Sequence, residues 1–331
     1  MKHRILVVGT GSIGERHVRC FLATGRVEVA AVEPNEALRN KVAQSYNLKE
    51  SFSSLEYALA LPWDGAVVAT PAPFHIPIAN QLAAAGINMY IEKPLATTLD
   101  GLEQLVSTVQ AKKIFASVAY VYRAHPAIAA VKNELQTGRF GKPLQIVSNC
   151  GQNFPFYRPA YRQTYYTRHS SGGGAIQDAW THIIDAAQWL VGPVTRLCSS
   201  AQHKLLEGTE VEDTVHVLAD HGKVMGCYSL NQHQCANENT ITINCEKGSL
   251  KVELHESRWG WVDKAGGSWN FVNTPIKERD DWFTRQEQIF LDGLEGKAAP
   301  LCSLEEGIQT LKVNLAALKS ASQNSTWLDI I

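Results

Sequence analysis

The sequence predicts an α/β chain of two domains, a doubly wound parallel sheet over residues 1–121 and an α+β domain with a large, mostly antiparallel sheet over residues 122–331. Three observations carry this expectation. Up to about residue 95, continuous apolar, β-branched runs alternate with helical patterns, as parallel strands covered on both faces require. A glycine-rich turn, Gly9-Thr-Gly11-Ser-Ile-Gly14, joins the first of those runs to the first helical pattern. Beyond about residue 120, strands follow one another closely, which favours antiparallel pairing.

Taken in order, the expected elements are a strand at 5–8, a helix to about 23, a strand at 27–32, a helix at 37–46 and strands at 65–70 and 88–91. This is the sequence pattern of a Rossmann domain. The second part opens with a helix at 126–136, followed by strands at 144–149, 195–200, 214–218, 224–230, 239–245 and 249–254. Ile176, Ala179, Trp180, Ile183, Ile184, Ala187 and Leu190 recur at helical spacing and predict a helix with one apolar face. Helices at 282–294 and 304–319 are expected to flank the antiparallel sheet; the second, opened by the capping box Ser303-x-x-Glu306, alternatively packs back on the first domain.

With 45% hydrophobic and 19% charged residues, the 331-residue chain has the composition of an ordinary soluble globule. Its net charge of -1, with Lys and Arg scattered, excludes a nucleic-acid partner. The seven cysteines form no CxxC pair and are odd in number, which points to a reducing compartment. The apolar run Ile5-Leu-Val-Val8 falls short of the roughly 7–15 residues of a signal-peptide core. No segment approaches the roughly 20 apolar residues of a membrane span. The expectation is a cytoplasmic protein without a membrane partner.

Gly9 and Gly11 permit close backbone approach to a pyrophosphate, and the helix start at Ser12, Ile13 and Gly14 offers N–H donors to it. Glu33 lies 19 residues past Gly14, at the expected end of the second strand. A carboxylate there accepts from both adenine-ribose hydroxyls and repels a 2′-phosphate, which favours NAD. Arg39, one or two helical turns on, keeps NADP open. Thr70-Pro71-Ala72-Pro73-Phe74-His75 ends a strand at the cleft side of the sheet, where Thr70 and Pro71 line the nicotinamide half. His75 either joins them or caps the next helix. Glu92-Lys93-Pro94 ends the next strand and points a lysine at the cofactor.

In the second domain, Asp178, His182, Asp185 and Trp189 fall on one stripe of the expected helix, so that a carboxylate and an imidazole can act on one molecule. The alternative is an exposed polar helix face. A metal at Asp178 and His182 lacks a third ligand, and His221, Cys227, His233, Cys235 and Cys245 match no zinc spacing, so no metal is expected. Arg123, His125, Tyr157, Arg158, Tyr161 and Arg162 either hydrogen-bond between domains or grip a polyhydroxylated or carboxylated substrate. Trp259, Trp261 and Trp269 are expected to fill a sheet face or a subunit contact.

Gly9-x-Gly11-x-x-Gly14, Thr70-Pro71 with His75, Glu92-Lys93-Pro94 and Gly172-Gly-Gly174-x-x-x-Asp178-x-x-x-His182, in this order, resemble the glucose-fructose oxidoreductase, inositol dehydrogenase and MocA family over essentially the whole chain. The resemblance implies that Lys93 lies near nicotinamide and substrate, that Asp178 and His182 face it from the second domain, and that His182 is the acid/base. Two residues depart from the family pattern. Ala72 replaces a frequent asparagine, and Trp180, a candidate substrate contact, replaces a small residue. The function so implied is NAD-dependent hydride transfer at a secondary alcohol or ketone of a sugar, cyclitol or related polyol. Two other readings are a tightly held NAD that serves epimerisation or elimination, and a non-catalytic dinucleotide sensor. The resemblance also implies a homodimer or homotetramer formed through the second sheet.

Overall fold

The computed structural model describes residues 2–276, 278 and 280–331. The chain forms two compact units, residues 1–124 with 278–308 and residues 125–277 with 309–331.

The first unit contains β1 (His3–Val8), α1 (Ser12–Ala23), β2 (Val27–Val32), α2 (Glu36–Ser45), β3 (Ser51–Phe52), α3 (Leu55–Leu59), β4 (Gly65–Val68), α4 (His75–Ala84), β5 (Asn88–Ile91), α5 (Leu102–Lys112) and β6 (Ala116–Val118). The strands lie in the order β3-β2-β1-β4-β5-β6, every pair parallel. Chain order reverses beside β1, the switch point at which open α/β sheets bind ligands. Ile5, Val7, Val18, Phe21, Val29, Val67 and Tyr90 form its core. A short α3 and β3 complete the alternation that the apolar runs foreshadow.

The second unit contains α6 (Pro126–Gln136), β7 (Pro143–Asn153), α7 (Phe154–Tyr157), α8 (Thr181–Val191), β8 (Arg196–Gln202), β9 (Thr214–His221), β10 (Val224–Asn231), β11 (His233–Cys245), β12 (Gly248–Glu253), β13 (Arg258–Val262) and β14 (Asn270–Asn273). Further along the chain come α9 (Asp280–Leu294), α10 (Leu304–Ser322) and β15 (Leu328–Asp329). The nine-stranded sheet runs β14-β13-β12-β11-β7-β10-β9-β8-β15, antiparallel except where β7 pairs parallel with β10. Alternate residues are buried: Val215, Val217 and Ala219 on β9 are sealed, whereas His216 and Leu218 are exposed. Trp259 is buried on β13, filling a sheet face as expected.

The expectation for residues 282–294 needs correcting, because α9 belongs to the first unit and packs on α1, not on the antiparallel sheet. Phe290 and Leu291 join the core of the parallel sheet. Gly65 makes this possible, since a Cβ there would lie 3.1 Å from the Phe290 ring. Arg26 adds ion pairs to Asp292 at 2.8 Å and Glu295 at 2.7 Å. The capping box at α10 forms as expected, with the Ser303 N–H donating to Glu306 at 2.9 Å and the Glu306 N–H to Ser303 Oγ at 3.2 Å. All seven cysteines are free thiols, and no helix among the described residues is long and apolar enough to cross a membrane.

Candidate active site

The glycine turn connects β1 to α1 and its three glycines serve different ends. Gly9 has φ +88°, and a Cβ there would come within 2.9 Å of the Ala69 carbonyl oxygen. At Gly14 a Cβ would lie 1.9 Å from the Gly9 carbonyl oxygen. Both positions are closed to any side chain by the protein itself. Gly11 has an ordinary φ of -59°, and a Cβ there would meet nothing within 4 Å. No side chain caps α1, so the N–H groups of Ser12, Ile13 and Gly14 at its start suit an anion.

Glu33 follows β2 beside this turn. One carboxylate oxygen accepts from the Thr10 N–H at 3.0 Å and the Thr10 hydroxyl at 3.2 Å, the other from the Asn35 N–H at 3.0 Å. The carboxylate is thereby fixed, with lone pairs left for further donors. Arg39 donates to the Glu33 carbonyl at 2.7 Å, on the backbone side of the same residue.

Past β4, His75 is buried at the first position of α4 and does not cap it. Its Nε2 lies 2.7 Å from the Thr70 carbonyl oxygen and its Nδ1 3.0 Å from that of Pro94, so it ties two strand-end loops together. Burial pushes its pKa down, and the two carbonyls only partly offset this. The Thr70 hydroxyl is buried without a hydrogen-bond partner among the described residues. Lys93, half-buried, follows β5 and precedes a cis proline. Glu92 turns inward: it is 4% exposed, and its carboxylate accepts from the Lys93 N–H at 2.9 Å and contacts His17 Nε2 at 2.8 Å.

In the second unit, the segment expected to begin as α-helix winds as a π-helix over Ile176–Trp180 before α8. Its start is held by Glu212, whose carboxylate accepts from the Ile176 N–H at 2.8 Å and whose carbonyl accepts from the Ala175 N–H at 3.0 Å. The wider turn means that the expected i, i+4 stripe does not run through it. Asp178 accepts from the Tyr165 hydroxyl at 2.6 Å, and His182 stands half-buried in the first turn of α8. Asp185 is sealed at 0% exposure, where Thr310 donates to it at 3.4 Å. Lys132 donates to the Trp189 carbonyl at 2.5 Å and stands 5.6 Å from its ring.

Two substrate candidates are corrected, Trp180 and Arg123. Trp180 is fully buried and packs edge-on against Tyr228, at 6.2 Å, because its large ring fills the core beneath the sheet. Arg123, 2% exposed in the first unit, donates to the Leu301 carbonyl at 3.0 Å and pairs with Glu306 at 2.8 Å, which holds the start of α10. Arg162 pairs with Glu207 at 2.8 Å and lines a pocket with Asn153, Pro155, Leu205 and His233. Tyr157 remains exposed and accepts from the Asn237 amide at 2.6 Å. His125 caps α6 through the Ala127 N–H.

Residues 3–120 match the family model described as "Oxidoreductase family, NAD-binding Rossmann fold", and residues 128–251 match "GFO/IDH/MocA C-terminal domain". The chain belongs to this family. It is 29% identical to a levoglucosan dehydrogenase of Pseudarthrobacter phenanthrenivorans over 56% of this chain and 50% of that protein. It is also 28% identical to the rhizopine catabolism protein MocA of Rhizobium meliloti over 58% of each. These matches span about half the length of such relatives. An inositol 2-dehydrogenase of Rhizobium meliloti strain 1021 matches over 98% of both chains at 22% identity. Among solved structures, a levoglucosan dehydrogenase in complex with NADH and levoglucosan covers 100% of both chains with a TM-score of 0.90 at 22% identity, which confirms the fold. The first unit is thus the family's NAD-binding Rossmann domain and the second its C-terminal domain.

The motifs that carried the family resemblance left several supporting residues unnoticed. Thr10, Tyr165 and Glu212 each hold a candidate residue or its turn, and His17 with Glu287 buttress Glu92. His17 carried a faint signal, since it falls beside Val18 and Phe21 on the inner side of α1. Nothing local ties it to Glu287, 270 residues away.

Proposed function

We propose that the protein is an NAD-dependent dehydrogenase or reductase acting at a secondary alcohol or ketone of a sugar, cyclitol or related polyol. The open Gly11 position beside the immobilised Glu33 carries the cofactor part of this reading, because neither protein packing nor backbone conformation demands glycine there. A pyrophosphate against the start of α1 does demand it. Gly9, Gly11, Ser12, Ile13, Gly14 and Glu33 hold the adenosine diphosphate half, and Thr70, Pro71 and Lys93 the other. Glu33 selects NAD by accepting from the ribose hydroxyls. NAD supplies the hydride acceptor in the oxidative direction.

His182 takes the hydroxyl proton as the carbinol carbon gives up its hydrogen, a task suited to a group whose ordinary pKa is about 6.5. Lys93 donates a hydrogen bond to the reacting oxygen and stabilises charge developing on it. Asp178, oriented by Tyr165, binds an adjacent hydroxyl. The substrate class is supported by the relatives, a levoglucosan dehydrogenase and inositol dehydrogenases among them. A cytoplasmic location fits the seven free thiols, and assembly into a homodimer or homotetramer through the exposed face of the large sheet fits Leu218 and Met225 there. A screen of polyols, aldoses and uronates with NAD and NADP, followed by absorbance of the reduced cofactor, tests the reading. Reduction of NAD by at least one polyol is expected; reduction of NADP alone would overturn the Glu33 assignment.

A further inference from the structure

We propose that His17 and Glu287 are positioning residues that fix Glu92 and, through it, the main chain of Lys93. This rests on the role given to Lys93 above. Glu92, just past β5, accepts the Lys93 N–H with one carboxylate oxygen at 2.9 Å and faces His17 Nε2 with the other at 2.8 Å. The second ring nitrogen of His17 lies 2.6 Å from Glu287 on α9. His17 and Glu287 are both 0% exposed, and the imidazole is wedged edge-on against Tyr90 at 5.5 Å and Phe283 at 6.2 Å. The ring cannot turn without losing these contacts, so both hydrogen bonds are directed.

An imidazole can donate to two carboxylates at once only as imidazolium. Burial alone would push His17 down, but Glu287 and Glu92 outweigh it and raise its pKa to about 10. Burial likewise works to raise Glu92, and here the His17 cation prevails and lowers it. For Glu287 burial prevails and the pKa stays raised. The other titratable groups facing the cluster are Lys93 and His75 beside Glu92, Tyr90 on β5, and Cys20 on α1 beside Glu287.

Packing does not call for such a cluster. Apolar side chains of similar volume commonly hold helices together as well as a buried ion network does, or better. What an apolar contact lacks is direction. His17 sits on α1, whose first turn opens the glycine cradle, and Glu92 immediately precedes Lys93. The relay therefore sets the separation of cradle and lysine, while α9 braces it from behind through Glu287. Catalytic geometry is sensitive on this scale: a displacement of about 1 Å can cost roughly 100-fold in rate.

The test uses His17→Gln, which keeps hydrogen-bonding capacity and removes the cation. Its turnover should fall roughly 10- to 100-fold, the range over which partners that orient a functional group act. Freed of the cation, buried Glu92 should protonate at accessible pH, so kcat/KM should gain a limb that rises with pH and is absent from the parent. A readout independent of activity is the Lys93 amide resonance of the protein without cofactor. In the parent it should show no titration of Glu92 above the usual carboxylate range, because the His17 cation lowers that group, and in His17→Gln it should titrate at higher pH. Should that variant not fold, Glu287→Gln keeps the hydrogen bond but removes a carboxylate, and His17 and the Lys93 amide should then titrate together. The proposal is overturned if His17 of the parent titrates near its ordinary value. It is equally overturned if either folded variant keeps parental turnover and an unchanged Lys93 amide. Titration of that amide as stated, in a protein that oxidises no polyol, would uphold the relay and refute the proposed substrate class.

Discussion

The two units prepare for chemistry in opposite ways. In the first, His17, Glu92, Glu287 and His75 turn inward and are buried, and the glycine turn sets backbone and the empty volume beside Gly11 next to the fixed Glu33 carboxylate. In the second, the backbone is committed instead. Glu212 occupies the N–H groups at the start of the π-helix, and the half-buried side chains of Asp178 and His182 are what it offers. The difference teaches that the proposed cofactor recognition rests on missing atoms at Gly11 together with one fixed carboxylate, whereas the proposed proton transfer depends on a few side chains set by an irregular turn. Substitutions should therefore separate the two functions.

The largest expected effect comes from the second unit. His182→Ala should lower turnover roughly 10²–10⁴-fold, the usual worth of a general acid/base, and leave NAD affinity unchanged. Its pH profile should lose the group that titrates near neutrality. Retention of most turnover with an unaltered profile would break the division of labour and move the base role to Lys93 or Asp178.

A smaller effect contrasts buried histidines. His17 in the first unit has its pKa raised to about 10, and His221 in the second has it lowered by burial. A raised pKa stabilises the fold fully below the unfolded value of about 6.5, and that contribution disappears as pH rises through about 10. A lowered one works in reverse, its contribution being complete above about 6.5 and lost as pH falls. Calorimetry across pH should show melting temperature declining from neutral pH toward 10 in the parent and less steeply in His17→Gln. Parallel declines would mean that His17 is not the cation inferred here.

Legibility in the sequence follows the same division. The Rossmann sheet was readable because its strands are continuous apolar runs and its glycine turn is local, and the turn, Glu33 and Thr70 all follow strand ends as expected. The antiparallel sheet was readable as a class, but the parallel β7–β10 pair was not, since register leaves no mark on periodicity. Helical spacing set Trp180 on the apolar face, where the structure buries it; it stood as a substrate candidate only because it replaces a small residue of the family pattern. Arg123 looked available because its partners, Leu301 and Glu306, lie far along the chain. The π-helix escaped notice for a similar reason: it depends on Glu212, 36 residues beyond Ile176.

The central claim, that the glycine turn and Glu33 form an NAD site, is tested most directly by thermal melts of the parent and of Gly11→Val with NAD and with NADP. Since a Cβ at residue 11 meets no protein atom within 4 Å, the variant should melt close to the parent when no cofactor is added. The parent should gain about 2.7 kcal/mol at NAD concentrations a hundredfold above Kd, and less from NADP at equal concentration, while Gly11→Val should gain nothing from either. Equal stabilisation of parent and variant by NAD would contradict the account.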